Sequence, residues 1–363
     1  MPEFSKIVVK VGSNVLTKDN GFLNTERIEH VVDQICELKK KGVQVVLVSS
    51  GAVAAGRKDV NISDDEDTIS LRQIYSSVGQ TRLMHEYYAA FKKHDFSCAQ
   101  ILLSKEDFRD RRHYRNVQNC FSSLGRNGIV PIVNENDAVS ITELMFTDND
   151  ELASLITSMT NSDALVILTN VDGVYDKHPK NASAKLIEKI DHDERVKVGE
   201  ETSSMGRGGM KEKLKAAQKL AKLGADVLIT NGNQENSLSN IIMEGEKFKG
   251  THVISTDEQS SEVVRWIAHA DPVFFSEIVL KDDLSTLFLK NKKDNIFTHQ
   301  IVEVVGEFEK DDVVKITDVK GNKLGVARVS LSSDDFTFED EKVLIEIKHI
   351  FLNIEKWSHL NRY

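Results

Sequence analysis

Most of the polar chemistry in this chain is crowded into one stretch, IVPIVNENDAVSITELMFTDND at positions 129–150. An apolar run at 129–133 reads as a buried strand and is followed at once by Asn134, Glu135, Asn136 and Asp137. After one loop come Asp148, Asn149 and Asp150. Polar groups at the carboxyl end of a buried strand stand where open α/β sheets bind ligands. Amide and carboxylate side chains there can fix an α-amino group or orient cations without acting as nucleophiles. One such cluster alone reads better as an ordinary Asx turn. Two in a single crossover, each beside an apolar segment, point to a site.

Two further stretches suit an anion. KIVVKV at 6–11 reads as a buried strand, and Gly12-Ser13-Asn14 follows it. That places Lys10 and backbone N–H groups near one point, as a phosphate requires. GRGGMKEK at 206–213 has three glycines within four residues, and a helix opens directly after them. Lys213 falls in the first turn of that helix, where the helix dipole disfavours a cation unless an anion is bound nearby. Neither stretch is a Walker A loop, and no GxGxxG follows the first strand. SSGAVAAG at 49–56, after a strand at 43–48, allows close approach of backbone to a ligand or tight packing of helix on sheet.

The elements that must position these residues alternate. Helical periodicity runs over 25–41, with Ile28, Val31, Val32, Ile35 and Leu38 inward. A second helix over 67–93 has Ile69, Leu71, Ile74, Val78, Leu83 and Met84 as its apolar members, with Gly79 marking a close contact. Strands are predicted at 98–103 and 164–169, a helix at 116–124, a helix at 150–159, and a last strand at 226–230. The arginine-dense 108–114 reads as a solvated face. This order implies an α/β, doubly wound, mainly parallel sheet sandwiched by helices. Past 251 the texture changes to short strands with a Gly321-Asn322 hairpin signal. The resulting division is a catalytic domain at 1–255, a linker at 256–275 and a small β-rich domain at 276–363, ending in one more strand and a polar tail.

Composition narrows the function classes. The chain has 363 residues, 40% hydrophobic and 29% charged, as for a globular protein rather than a disordered one. A net charge of −10 disfavours nucleic acid and anionic membranes as partners. No leader and no membrane-spanning run is visible. Cys36, Cys98 and Cys120 have no metal-ligand spacing and read as reduced thiols of a cytoplasmic protein.

KIVVKVGS, SSGAVAAG, VGQTRLMHEYYAAF, QILL, VPIVNENDAVS, FTDNDELAS, TNVDGVY and GRGGMKEKLKAAQKLAKLGA occur in the order of the glutamate 5-kinases of the amino-acid-kinase superfamily, and the chain resembles that family over 6–250. VVGEFEKDDVVKITDVKGNKLGVARV resembles a PUA domain. The resemblance implies ATP-dependent phosphorylation of the γ-carboxylate of L-glutamate, the first step toward proline, with Mg²⁺. It implies Lys10 and Lys213 as grips on the transferred phosphoryl group and Asp150 as the carboxylate that holds both. It implies Ser50, Asn134, Asp137 and Asn149 as glutamate-binding residues. Lys10, Gly12, Thr169, Asn170 and the loop Arg207, Gly208, Gly209, Met210, Lys211, Glu212 and Lys213 become nucleotide-binding positions. A glutamyl phosphate reductase as partner, proline as a feedback inhibitor acting through 138–145, and a homo-oligomer are further implications. Thr147, Asn170 and Arg207 depart from the family's usual Gly, Asp and Thr; Asn170 removes a charge beside the nucleotide and Arg207 adds one. The competing readings are a sister kinase for another small carboxylate or phosphate, and an RNA-binding protein working through the PUA-like tail. The acidic balance argues against the latter.

Overall fold

A computed structural model describes residues 4–352 apart from 19, 61, 63–65, 110, 140–145, 147, 200–208, 244–247, 258, 270–275 and 290–293. The chain forms two compact units, 1–259 and 260–363. In the first, the strands are β1 (Lys6–Val11), β2 (Gln44–Ser49), β3 (Cys98–Leu103), β4 (Val130–Glu135), β5 (Ala164–Thr169), β6 (Lys189–Asp191), β7 (Asp226–Asn231) and β8 (Gly250–Ile254). The helices are α1 (Ser13–Leu16), α2 (Thr25–Lys40), α3 (Ala52–Gly56), α4 (Thr68–Lys92), α5 (Glu106–Arg109), α6 (Arg111–Arg126), α7 (Asn149–Thr160), α8 (Met210–Ala221) and α9 (Ser237–Met243).

One sheet runs β3-β4-β2-β1-β5-β7-β8-β6. Its strands are parallel except where β7 meets β8. The expected last strand is therefore not the last: β8 returns antiparallel, and β6 pairs with its outer edge. β2, β4 and β3 lie on one side of β1 and β5 on the other, all parallel to it, so the carboxyl ends of β1, β2, β4 and β5 share one edge of the sheet. The registers align these ends: Lys10 pairs with Val48 and Ile167, and Val48 pairs with Val133. Ile28, Val31, Val32, Ile35 and Leu38 of α2 are buried in the core as their spacing requires.

Three local expectations change. First, β4 does not stop at Val133. Leu102 and Leu103 of β3 pair with Asn134 and Glu135, so both polar residues lie within the strand and are buried. Second, helix begins at Arg111 rather than at 116, and 108–114 is not simply a solvated face. Phe108 and Tyr114 are buried, and the Phe108 ring meets that of Phe146 edge-on at 5.9 Å. Third, the buried row of α4 is Ser76, Gly79, Leu83, Tyr87, Ala90 and Phe91, while Ile69 is exposed. The reason is a close crossing with α3. A Cβ on Gly79 would lie 1.9 Å from the carbonyl oxygen of Ala52, and one on Gly56 would lie 1.9 Å from that of Tyr75. Small residues after β2 thus serve helix packing. Gly79→Ala is expected to destabilise the protein by about 1–3 kcal/mol through forced separation of the two helices. Urea unfolding measures this, and an unchanged midpoint would contradict the tight crossing.

In the second unit β9 (Glu277–Leu280), β11 (Ile301–Val305), β12 (Val313–Asp318), β13 (Lys323–Arg328) and β15 (Ile350–Leu352) form a sheet in the order β11-β9-β12-β13-β15, while β10 (Ile296–Phe297) pairs with β14 (Val343–Ile345). The β12–β13 hairpin turns through Gly321, whose φ of 76° is left-handed. Two helices add to the β-rich texture, α10 (Glu262–His269) within the stretch read as linker, and α11 (Asp282–Leu289). Ile278, Leu280, Phe288, Ile316, Leu324 and Leu344 belong to the core. The last segment holds two short strands where one is expected, and the tail beyond 352 lies outside the described residues.

Candidate active site

The first helical turn of α7 carries the centre of the site. Asp148 caps it, accepting the N–H groups of Asp150 at 2.9 Å and Glu151 at 3.2 Å, which leaves Asn149 and Asp150 inside the turn. Asp150 is 1% exposed. One of its oxygens lies 2.5 Å from Lys10 Nζ at the end of β1, and the other accepts a short hydrogen bond from Lys213 Nζ in the first turns of α8. Lys213 also stands 3.7 Å from Asp148. Two cations more than 200 residues apart in sequence thus share one buried carboxylate.

The charges tune one another. Burial raises the Asp150 carboxyl, but the Lys10 and Lys213 ammonium groups outweigh it and hold Asp150 well below the usual carboxylate range. For Lys213, burial disfavours the charge, yet Asp150 and Asp148 more than compensate and lift it above an ordinary lysine. Asp148 is raised, first by burial and then by the adjacent Asp150. A buried carboxylate that stays ionised between the Lys10 and Lys213 side chains is a fixed electrostatic cradle.

Beside it lies a polar wall. The Asn149 side-chain amide donates toward Ser50 Oγ at 2.9 Å, Asn134 Oδ1 at 3.1 Å and the Ser49 carbonyl at 3.2 Å. Asn134 in turn donates to Gln80 Oε1 at 3.0 Å. The φ of 102° at Gly51 turns the chain sharply after Ser50 and leads it into α3. Asp137 is 7% exposed and lies 2.6 Å from Arg72 Nη2 on α4.

On the other flank, Gly12 N–H donates to the Leu168 carbonyl at 3.1 Å, which sets the turn after β1 against the end of β5. Thr169 ends β5 opposite Asn231 of β7, and Asn170 is exposed, accepting from Thr169 Oγ1 at 3.3 Å. Gly209 caps α8, Met210 is buried, and Lys211 and Glu212 are exposed. Among the described residues of that loop only Lys213 is brought to Asp150; Arg207 and Gly208, like Thr147, lie outside them. The sequence reading lacks Arg72, Gln80 and the Asp172 cluster. Asp172 accepts from Asn231 at 3.0 Å and Gln234 at 2.8 Å and pairs with Lys249 at 2.6 Å. A polar helix residue such as Arg72 carries no sequence signal of its own, whereas Gln80 stands inside VGQTRLMHEYYAAF. Asp172 does stand two residues after Asn170, inside a motif already singled out.

Among the described residues no group of three or more His, Cys, Asp or Glu could hold a metal ion, and no helix is long and apolar enough to cross a membrane. Two ammonium groups meeting at one point suit the oxygens of a phosphate.

The amino acid kinase family matches residues 5–231 and the PUA domain matches residues 277–351. A glutamate 5-kinase of Bacteroides thetaiotaomicron is 42% identical over 333 residues, 91% of this chain and 92% of that protein. One from Chlorobaculum tepidum is 39% identical, with 92% of each chain covered. Among solved structures, an isopentenyl phosphate kinase in its substrate complex superposes with a TM-score of 0.50 at 20% identity, over 69% of this chain and all of that one, which bears on the fold alone. With matches along nine-tenths of its length, the chain belongs to the amino acid kinase family and, within it, to the glutamate 5-kinases.

Proposed function

We propose that the site described above is where this enzyme transfers the γ-phosphoryl group of ATP to the γ-carboxylate of L-glutamate. A carboxylate oxygen forms the new bond to phosphorus, the bond to the β-phosphate oxygen breaks, and ADP and L-glutamyl 5-phosphate leave. The observation that carries this assignment is Asp150, which fixes Lys10 and Lys213 on one side of an amide and hydroxyl wall made by Asn149, Ser50 and Asn134. The acceptor is already a nucleophile, so no strong general base is required. Catalysis is positioning together with neutralisation of charge spreading over the phosphoryl oxygens.

In this assignment Lys10 and Lys213 hold the phosphoryl oxygens and Asp150 keeps the two ammonium groups in place. Ser50, Asn134, Asp137 and Asn149 bind glutamate, with the Asp137 carboxylate facing the α-ammonium. Gly12, Thr169, Asn170 and the stretch 207–213 surround the nucleotide. Mg²⁺ bound to the phosphates would spread their charge further. The acyl phosphate hydrolyses in water, which supports a glutamyl phosphate reductase as the next enzyme and proline synthesis as the route. Three free thiols and the use of ATP support a cytoplasmic enzyme. Family membership alone supports a homo-oligomer and feedback by proline. Most of the loop implicated in that feedback, 140–145, lies outside the described residues.

Glutamate-dependent release of ADP, with hydroxylamine trapping of the acyl phosphate, tests the reaction; ADP release without a trapped hydroxamate would overturn it. Asp137→Ala is expected to raise KM for glutamate by about 100-fold through loss of a charge-assisted contact. KM for ATP should move less than about threefold, because the ammonium partner is absent from the nucleotide. Equal effects on both constants would misplace the substrate pocket.

A further inference from the structure

Glu135 closes β4 and is 4% exposed. Its Oε2 accepts from Arg72 Nη2 at 2.9 Å, and its Oε1 accepts from the Phe146 backbone N–H at 2.9 Å. The same Arg72 nitrogen stands 2.6 Å from Asp137 Oδ1. One guanidinium, reached from α4, is therefore divided between two buried carboxylates. Phe146 is itself buried and lies two residues before the cap of α7. Glu135 thus shares one guanidinium with the residue assigned to the substrate ammonium and holds the chain leading into the catalytic turn.

We infer that Glu135 is a positioning residue for the amino-acid substrate: its negative charge occupies the Arg72 guanidinium, so that the Asp137 carboxylate retains its charge for an ammonium group. This rests on the assignment of Asp137 above. With Glu135 ionised, the three side chains carry one net negative charge, the complement of an ammonium. With Glu135 neutral, more of the Arg72 charge falls on Asp137 and weakens the attraction.

The local electrostatics make that change available near neutral pH. Burial first, and then Asp137, push the Glu135 carboxyl up to about 7, against the Phe146 N–H, Arg72 and Lys105. Among the described residues, the charged groups around it are Arg72 from α4, Asp137 following β4, and Lys105 from the turn after β3, itself 3.8 Å from Glu151 on α7. An acid raised in this way is neutral below about 7 and ionised above it, so glutamate should bind more tightly as pH rises.

The test is the KM of the full-length enzyme for glutamate and for ATP between pH 6 and 8.5, in the parent and in Glu135→Gln. Glutamine keeps the size of the side chain and an oxygen to accept the Phe146 N–H; it removes the charge and, with it, the acceptor that faces Arg72. In the parent, KM for glutamate is expected to fall roughly 5- to 10-fold from pH 6 to pH 8, the effect of restoring one nearby charge in a partly buried site. In Glu135→Gln it should remain at the high, acid-side value throughout, with kcat and KM for ATP moving far less. Glu135→Asp should restore part of the pH dependence. A KM for glutamate that is flat with pH in the parent overturns the inference, even if the glutamine variant fails to fold. So does a glutamine variant that keeps the parent profile or shifts both substrates equally. Absence of any glutamate-dependent turnover in the parent would instead count against the assigned reaction itself.

Discussion

Lys213→Ala is expected to lower kcat by about 10²- to 10³-fold, the usual effect of removing one preorganised group that meets charge developing in the transition state. The fold should survive, for a reason visible in the charge balance. Asp148, Asp150, Lys10 and Lys213 are two anions and two cations in one cluster. Without Lys213, Asp150 keeps Lys10 at 2.5 Å. Asp148, already raised by burial and by Asp150, takes up a proton more readily and restores neutrality. Its cap on α7 also includes N–H donors that no lysine supplies. Single-turnover trapping of the hydroxamate, beside a thermal melt, separates the two effects. Near-normal kcat with an unchanged melting temperature would remove Lys213 from the mechanism. Lys213→Arg should recover part of the rate but not all, because a planar guanidinium cannot place its charge where a compact ammonium does.

Asp150→Asn is expected to act in the opposite way, costing stability as well as rate. Removing one partner of a buried ion pair leaves the other charge without compensation, which costs about 3–5 kcal/mol. Here two cations are left behind. Lys10 cannot turn to water, with its side chain 7% exposed, whereas Lys213 at 17% can do so in part. Because Asp150 is held below the usual carboxylate range, its contribution in the parent is complete above that range and lost only as pH falls beneath it. The stability deficit of the variant should therefore be constant across neutral pH. ATP should stabilise the variant more than the parent, since its phosphates supply the anion that the substitution removes. Urea unfolding with and without ATP decides the matter. A variant as stable as the parent, or one that gains no extra stability from ATP, would mean that Asp150 does not hold the lysine pair.

The sequence by itself determined the order of β1, α2, β2, α4, β3, α6, β4, α7, β5, α8 and β7, because burial on both faces leaves continuous apolar runs such as ALVILT and burial on one face leaves the helical spacing of Ile28, Val31, Val32, Ile35 and Leu38. It also supplied the chemically capable residue types, Lys10, Asp150 and Lys213, through their positions at strand ends and beside a glycine turn. Only the tertiary structure decided how they combine. That β4 runs on through Asn134 and Glu135 depends on pairing with Leu102 and Leu103, a contact with a neighbouring strand that local composition does not encode. The burial of α4 along Ser76, Gly79 and Leu83 rather than Ile69 and Ile74 follows from two glycines meeting across helices. Arg72 reaches Glu135 from 63 positions away, and Lys213 reaches Asp150 across the same separation. Pattern in a sequence reports which face of an element turns inward; which charge meets which is fixed by the sheet order and the helix crossings that bring distant elements to one crevice.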